Sequence, residues 1–126
     1  MTPLEPSLFA SLEPPRLAGA RCADCGAVTF PATSGCARCA GSNLTPVELA
    51  DRGTLWTHTV QDFEPKAPYR TPEGGFVPYA VGYVDLGDVI VEARLTGGTH
   101  EIGAPMRLTL LPLWDDVVTY AFERAS

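Results

Sequence analysis

The chain lacks several features that mark large classes of protein. No apolar run among its 126 residues approaches the length of a membrane span. Residues 1–15 carry acids and prolines rather than a basic region followed by an apolar one, so no secretory signal is predicted. Two glycine pairs, Gly74-Gly75 and Gly97-Gly98, are too short to form a phosphate-binding loop. We therefore expect a cytoplasmic protein, in which thiols stay reduced and disulfides are rare.

Positive charge is also scarce. Nine Lys and Arg residues face 15 Asp and Glu residues, which gives a formal net charge of −6. Affinity for nucleic acid depends mainly on cationic contacts to phosphate, so this balance argues against a nucleic-acid partner. The apolar fraction is ordinary for a globular protein, and the length fits one domain or two very small units packed together.

The four cysteines form two Cys-x-x-Cys pairs separated by ten residues: Cys22 with Cys25, and Cys36 with Cys39. Each pair presents two thiolates from one tight turn, and two such turns supply the four tetrahedral ligands that zinc prefers. The alternatives are two disulfides, a redox pair or an iron centre. Four thiolates leave no open coordination position, so we predict one zinc ion with a structural role.

The first 48 residues are predicted to form an N-terminal segment and a zinc ribbon. Residues 1–16 are assigned to a helical or extended segment, with one or two helical turns within residues 3–13 that Pro14-Pro15 would end. That helix would cap the ribbon or dock a partner. Residues 17–48 are assigned to the ribbon, with strands near Leu17–Arg21 and Val28–Phe30 and a break at Pro46.

Residues 49–126 are assigned to a barrel. From Gly53 onward the apolar pattern has a period of two, which favours strands. The first predicted strand, over residues 54–61, places Trp56, His58 and Val60 on one face. The other predicted strands cover residues 79–85, 89–95, 107–111 and 117–122. Five short antiparallel strands without a long helix indicate a mainly β protein, and the OB-fold is the five-stranded barrel that fits best.

The connection over residues 63–77 is unusually long, and loops of this length are usually functional or disordered. It carries three aromatic residues and two cations: Phe63, Tyr69, Phe76, Lys66 and Arg70. Exposed aromatic side chains on a long loop favour a binding surface. The alternative is that they fold back and cap the barrel.

The order of the motifs carries a resemblance to a known family. The residues are the Arg21–Gly26 knuckle, Phe30-Pro31, Gly53–Thr57, Pro78–Val81 with Val84–Asp88, and Ile102-Gly103. From Leu17 to the C-terminus the chain resembles the proteins that join a rubredoxin-like zinc ribbon to an acyl-CoA-associated OB-fold. Members usually open with a longer helix, which Pro14-Pro15 shortens here.

The resemblance implies a non-catalytic accessory subunit of a thiolase-superfamily enzyme, in a hetero-oligomer. The partner would be a thiolase, an acyltransferase or a thiolase-like aldolase, including those that cleave CoA esters of steroid side chains. Acyl-CoA would lie at or near the interface. Phe63, Lys66, Tyr69, Arg70 and Phe76 are then the predicted contacts to the partner or to CoA.

No catalytic residue is predicted. All four cysteines are assigned to metal, which leaves no nucleophilic thiol. His58 is interpreted as a barrel residue rather than a base, and His100 as a solvated turn residue. The competing hypotheses are a single-stranded nucleic-acid-binding module, since ribbons and OB-folds both serve that role, and a self-sufficient acyl-CoA hydrolase or acyltransferase.

Overall fold

The computed structural model describes residues 1–66, 70–71 and 74–125. Within these ranges the chain forms ten β-strands and one short 3₁₀ turn, Pro6–Leu8, and no α-helix. No helix of the described residues is long and apolar enough to cross a membrane. The strands are β1 Thr2–Pro3, β2 Phe9–Leu12, β3 Pro15–Cys22, β4 Val28–Thr29, β5 Leu44–Glu48, β6 Arg52–Gln61, β7 Tyr79–Asp85, β8 Ile90–Thr96, β9 Pro105–Trp114 and β10 Val117–Arg124.

The N-terminal helix predicted over residues 3–13 is wrong. The segment is extended: β1 pairs with β10, and β2 pairs with β3. Pro3 and Pro6 favour extended backbone in the residues before them, and the ladder with β3 satisfies the backbone groups that a helix would have paired internally. Leu8 is buried and Phe9 packs against the core, so the apolar residues still face inward but along strands.

The ribbon is organised around β3, which pairs with β2, β4 and β5. The sequence indicated a break at Pro46, yet β5 runs through it, with Pro46 opposite Ala20. Proline is tolerated in a strand when its missing N–H lies on an unpaired edge, and β5 has no further ladder partner among the described strands. Gly19 permits the close packing here, because a Cβ on it would lie 2.7 Å from the carbonyl oxygen of Thr29.

The barrel consists of β6 to β10, and the five-stranded OB-fold prediction is confirmed. The strand order is β10-β8-β7-β6-β9, and antiparallel pairing of β9 with β10 closes it, so that neither strand is left as an open edge. The alternation predicted for β7 and β8 is observed. Val84 and Val91 are buried, whereas their neighbours Tyr83 and Ile90 are exposed.

The face predicted for Trp56, His58 and Val60 is interrupted by a bulge. The register of β6 against β7 shifts between Leu55 and Thr57. An extra residue in one strand breaks strict alternation. Trp56 therefore lies edge-to-face against the Tyr83 ring, with 6.2 Å between the centroids, whereas His58 is placed opposite Gly82.

One hydrophobic core joins the ribbon to the barrel. Leu17 of β3 and Leu49 belong to the same buried cluster as Leu55 and Phe122 of the barrel. The Phe30 ring meets the Tyr120 ring edge-on at 5.6 Å. Because the two parts share a core, they are expected to stabilise each other. The boundaries at residues 16 and 48 stay predictions.

Candidate metal centre and cationic groove

The four cysteine sulfurs lie together, as their spacing predicts. One Sγ from each of Cys22, Cys25, Cys36 and Cys39 falls within 4.8 Å of all the others. The Cys22 and Cys39 sulfurs are 3.6 Å apart, as are those of Cys25 and Cys36, so each close contact joins one knuckle to the other. No pair is a disulfide, since all four cysteines are free.

Backbone hydrogen bonds shape each knuckle. The Gly26 N–H donates to the carbonyl oxygen of Cys22, and the Ala40 N–H donates to that of Cys36, both at 2.8 Å. Gly26 has a φ of 79°, in the left-handed region where glycine carries no steric cost. Ala40 takes the same region at 62° despite its Cβ. The backbone thus turns tightly enough to aim both thiols of each pair at one point.

The electrostatics favour the thiolate at Cys36 and the protonated thiol at Cys39. Backbone N–H groups of Cys39 and Arg38 point at the Cys36 thiol and lower its pKa to about 7. At Cys39 the N–H of Gly41 acts in the same direction, but the neighbouring Cys22 and Cys25 thiols outweigh it and raise the pKa of Cys39 to about 12. Four sulfurs this close cannot all ionise without a cation nearby. A divalent metal ion displaces the thiol protons and balances the charge of the four thiolates.

The donor set fits zinc. Four soft thiolates from two knuckles make a closed tetrahedral shell, and such sites stabilise a fold rather than activate a substrate. Cys22 and Cys36 are buried, and Cys39 is exposed at the tip of the second knuckle. The class of protein is therefore a zinc ribbon followed by an OB-fold barrel, with zinc as its structural cofactor.

Comparison with known proteins identifies the family. Residues 9–45 match the sequence model described as "ChsH2, rubredoxin-like zinc ribbon domain", and residues 46–111 match "ChsH2, C-terminal OB-fold domain". These two matches cover most of the chain in the expected order. The chain belongs to the ChsH2 family of zinc ribbon and OB-fold proteins, which confirms the resemblance found in its motifs.

Two curated relatives are similar in sequence. The chain is 30% identical over 118 residues to the benzoylsuccinyl-CoA thiolase subunit BbsA of Thauera aromatica, covering 87% of this chain and 77% of BbsA. It is 36% identical over 59 residues to a DUF35 domain-containing scaffold protein of Methanocaldococcus jannaschii, covering 42% of each chain.

Two solved structures are similar in fold. The Ltp2-ChsH2(DUF35) aldolase superposes with a TM-score of 0.70 at 25% identity, covering 94% of this chain and 92% of that one. A DUF35-family protein of unknown function from Sulfolobus solfataricus gives a TM-score of 0.55 at 19% identity, covering 89% and 81%, and shows the fold alone.

The structure brings together part of the predicted contact set. Lys66 and Arg70 line a groove of about 470 Å³ on the barrel. Phe63 is 80% exposed and Phe76 packs edge-on against Tyr79, with 6.2 Å between the centroids, but neither lines the groove. Tyr69 lies outside the described residues.

Two contacts between an arginine and an aromatic ring in this groove were not predicted from the sequence. Arg94 of β8 places its guanidinium carbon 3.8 Å from the centroid of Tyr79, and Arg70 places its own 4.7 Å from that of Trp114. The position of Arg94 in the sequence does not reveal the ring that it covers, because Tyr79 lies on a neighbouring strand. Only barrel closure brings β7, β8 and β9 to one groove.

The two histidines of the chain, His58 and His100, lie near each other in space. Their ring centroids are 6.3 Å apart. The prediction that His100 is solvated is not supported: it is half-buried, and its Nδ1 is buried without a hydrogen-bond partner. Burial, with a smaller contribution from the charge of His58, lowers the pKa of His100. His58 is exposed on β6.

Proposed function

We propose that this chain is a non-catalytic accessory subunit that binds and supports a thiolase-superfamily enzyme. The observation that carries the proposal is the similarity to a thiolase subunit over 87% of the chain, which spans both the ribbon and the barrel. The structural neighbour with a TM-score of 0.70 is a ChsH2 protein in an aldolase assembly, and a further relative is called a scaffold protein. The partner would be a thiolase, an acyltransferase or a thiolase-like aldolase.

The chemistry of the described residues supports an accessory role. Thiolase chemistry needs a nucleophilic cysteine or an acid and base pair in a pocket. All four cysteines of the chain belong to the metal cluster. Catalysis is therefore assigned to the partner, and the substrates proposed for the complex are CoA thioesters, including those of steroid side chains.

Exposed apolar side chains supply a surface for the partner. Trp56 is 58% exposed, Val60 52%, Phe63 80% and Val77 67%, and they follow one another along β6 and the segment after it. We take these side chains as the surface that the partner covers, because removing apolar area from water favours association. We assign Phe63 and Phe76 to the partner contact, and Lys66 and Arg70 to contact with the thioester.

We also propose that the complex lies in a reducing compartment, the cytoplasm. A tetrathiolate zinc site requires free thiols, and these persist in the cytoplasm. We therefore place the complex there.

Co-expression of this chain with the candidate thiolase-like enzyme, followed by size-exclusion chromatography, tests the proposal. We expect one peak that contains both chains in a fixed ratio. Two separate peaks, together with full activity of the enzyme alone, would contradict it. Phe63→Glu should weaken the complex without lowering the melting temperature. Ile102→Glu is the matched control, because Ile102 is also highly exposed, at 68%. It lies near the other end of β6, where the Gly103 N–H donates a hydrogen bond to the carbonyl oxygen of Leu55.

A further inference from the structure

The four cysteines of the metal centre differ in exposure. Cys22 is completely buried and Cys36 is 4% exposed, whereas Cys25 is half-buried and Cys39 is exposed. A ligand sulfur that water reaches is also within reach of a small oxidant, and the susceptibility of a cysteine to oxidation follows its thiolate character and its exposure. Cys39 is therefore the ligand that an oxidant meets first.

Hydrogen bonding distinguishes the two sulfurs of the second knuckle. Among the described residues, the backbone N–H groups of Arg38 and Cys39 donate to the Cys36 sulfur, whereas the N–H of Gly41 donates to the Cys39 sulfur. Each N–H donor draws electron density from the sulfur and makes it a weaker nucleophile. Once a metal ion has displaced its proton, Cys39 is thus the more nucleophilic thiolate of this knuckle as well as the more exposed one.

A second sulfur lies next to the exposed one. The Sγ atoms of Cys22 and Cys39 are 3.6 Å apart. Cys22 ends β3 in the first knuckle and is sheltered from solvent. Redox-sensing cysteines combine an accessible, reactive thiolate with a nearby thiol that converts the oxidised form to a disulfide. Cys39 and Cys22 have this relation to each other.

We propose that Cys39 is a site of oxidation by hydrogen peroxide, and that its conversion to a disulfide with Cys22 makes the ribbon a redox-sensitive switch. The inference goes beyond the proposed function and does not depend on it. The Cys39 thiolate attacks one peroxide oxygen, the O–O bond breaks, and a sulfenic acid and hydroxide form. The Cys22 thiolate then attacks the Cys39 sulfur, so that the S–S bond forms and a second hydroxide leaves. Two protons convert the hydroxides to water, and the peroxide gains the two electrons that the two thiolates lose.

This disulfide would remove two of the four zinc ligands. Cys25 and Cys36 alone do not complete a tetrahedral shell. The stretch between β4 and β5 is mostly exposed apart from Cys36, so it buries little apolar surface and depends on the metal for its fold. Oxidation should therefore unfold the second knuckle while the barrel keeps its own core. Reduction of the disulfide with zinc present would restore all four ligands.

The test exposes the zinc-loaded chain to hydrogen peroxide and follows zinc release with a colorimetric chelator. Trypsin then separates the cysteines, because cleavage after Arg38 places Cys39 on a different peptide from the other three. Mass spectrometry of the alkylated digest should show Cys39 joined to Cys22 when zinc leaves, with the remaining two cysteines alkylated. A first disulfide between any other pair, or zinc that stays bound, would overturn the inference.

A matched pair of ligand variants tests the role of exposure. Cys39→His replaces the exposed thiolate with a ligand that zinc accepts in Cys₃His sites and that cannot form a disulfide. It should keep zinc and slow the peroxide-driven release about tenfold, since the remaining thiolates are less exposed. Cys25→His makes the same replacement at a half-buried ligand and should release zinc at the wild-type rate. Equal rates in two variants that both carry zinc would contradict the assignment.

Reversibility separates a switch from damage. Dithiothreitol and zinc, added after oxidation, should restore the original melting temperature. A permanent loss, with Cys39 recovered as sulfinic acid, would overturn the switch. No partner enzyme enters these measurements. A chain that forms no complex with a thiolase-like enzyme would overturn the proposed function and leave this inference standing.

Discussion

The ribbon and the barrel reach their folded states by different means. In the ribbon, β4 has only two residues, and most of the stretch between β4 and β5 is exposed apart from Cys36. The barrel closes five strands around buried side chains such as Leu55, Val84 and Phe122. A segment that buries little apolar surface needs a staple, whereas a closed sheet supplies its own core. Loss of a zinc ligand should therefore affect the ribbon most, whereas loss of a buried side chain should affect the barrel most.

The largest effect is expected from Cys36→Ser. Removing one thiolate should release the zinc and unfold the ribbon, because structural zinc contributes about 10–16 kcal/mol of apparent binding free energy in small domains. Zinc content per chain and the melting temperature measure both losses. Ser34→Ala, an exposed change in the same loop, is the control. Normal zinc content and normal melting in Cys36→Ser would show that the site is not structural.

The barrel counterpart is Phe122→Ala. Phe122 is completely buried, so its truncation should cost about 3–5 kcal/mol of unfolding free energy. Urea denaturation measures the loss, and the folded protein should keep its zinc. Phe63→Ala is the same change at a residue that is 80% exposed, and it should change the unfolding free energy little. Equal losses in the two variants would contradict the assigned core.

The shared core predicts that one change can weaken both parts. Leu17 is on β3 of the ribbon and is completely buried in the cluster that includes Leu55. Leu17→Ala should cost about 2–5 kcal/mol of unfolding free energy. It should also speed the release of zinc to a chelator, since the ribbon loses its support. Unchanged release with a lowered unfolding free energy would show that the two parts are not coupled.

The smallest effect concerns pH. The pKa of His100 is lowered in the folded protein, so the unfolded chain binds a proton more readily as the pH falls below about 6.5. Stability contributed by neutral His100 is thus present at neutral pH and is lost on acidification. His100→Gln should flatten the fall of melting temperature between about pH 7 and pH 5 relative to wild type. Thr99→Ala, the neighbouring control, should keep the wild-type dependence of melting temperature on pH. Wild type and both variants share the zinc site, so its titration does not account for a difference between them.

Sequence reasoning predicted the local features well. The cysteine spacing gave the metal cluster, because a Cys-x-x-Cys turn determines its own geometry. The strands β7 and β8 follow from the alternation of apolar residues along residues 79–85 and 89–95. Both depend on residues that are neighbours in the chain.

The predictions were wrong where strand pairing between residues far apart in the sequence determines the structure. The apolar residues Leu4, Leu8 and Leu12 have the i, i+4 spacing of a helix. Pairing of this N-terminal segment with β3 and β10 instead makes it extended. Pro46 signals a break, yet it lies in an edge strand that tolerates it. The bulge beside Trp56 and the meeting of Arg94 with Tyr79 depend on the register of strands that the sequence does not encode locally.

The most direct test of the account is a reconstitution. The zinc-loaded chain is titrated into the purified thiolase-like partner, and the rate of thioester turnover is recorded. We predict that the chain alone has no activity, and that the partner's rate rises and levels off at a fixed molar ratio. Thioester turnover by the isolated chain, or a partner whose rate and substrate KM do not respond to it, would contradict an accessory subunit.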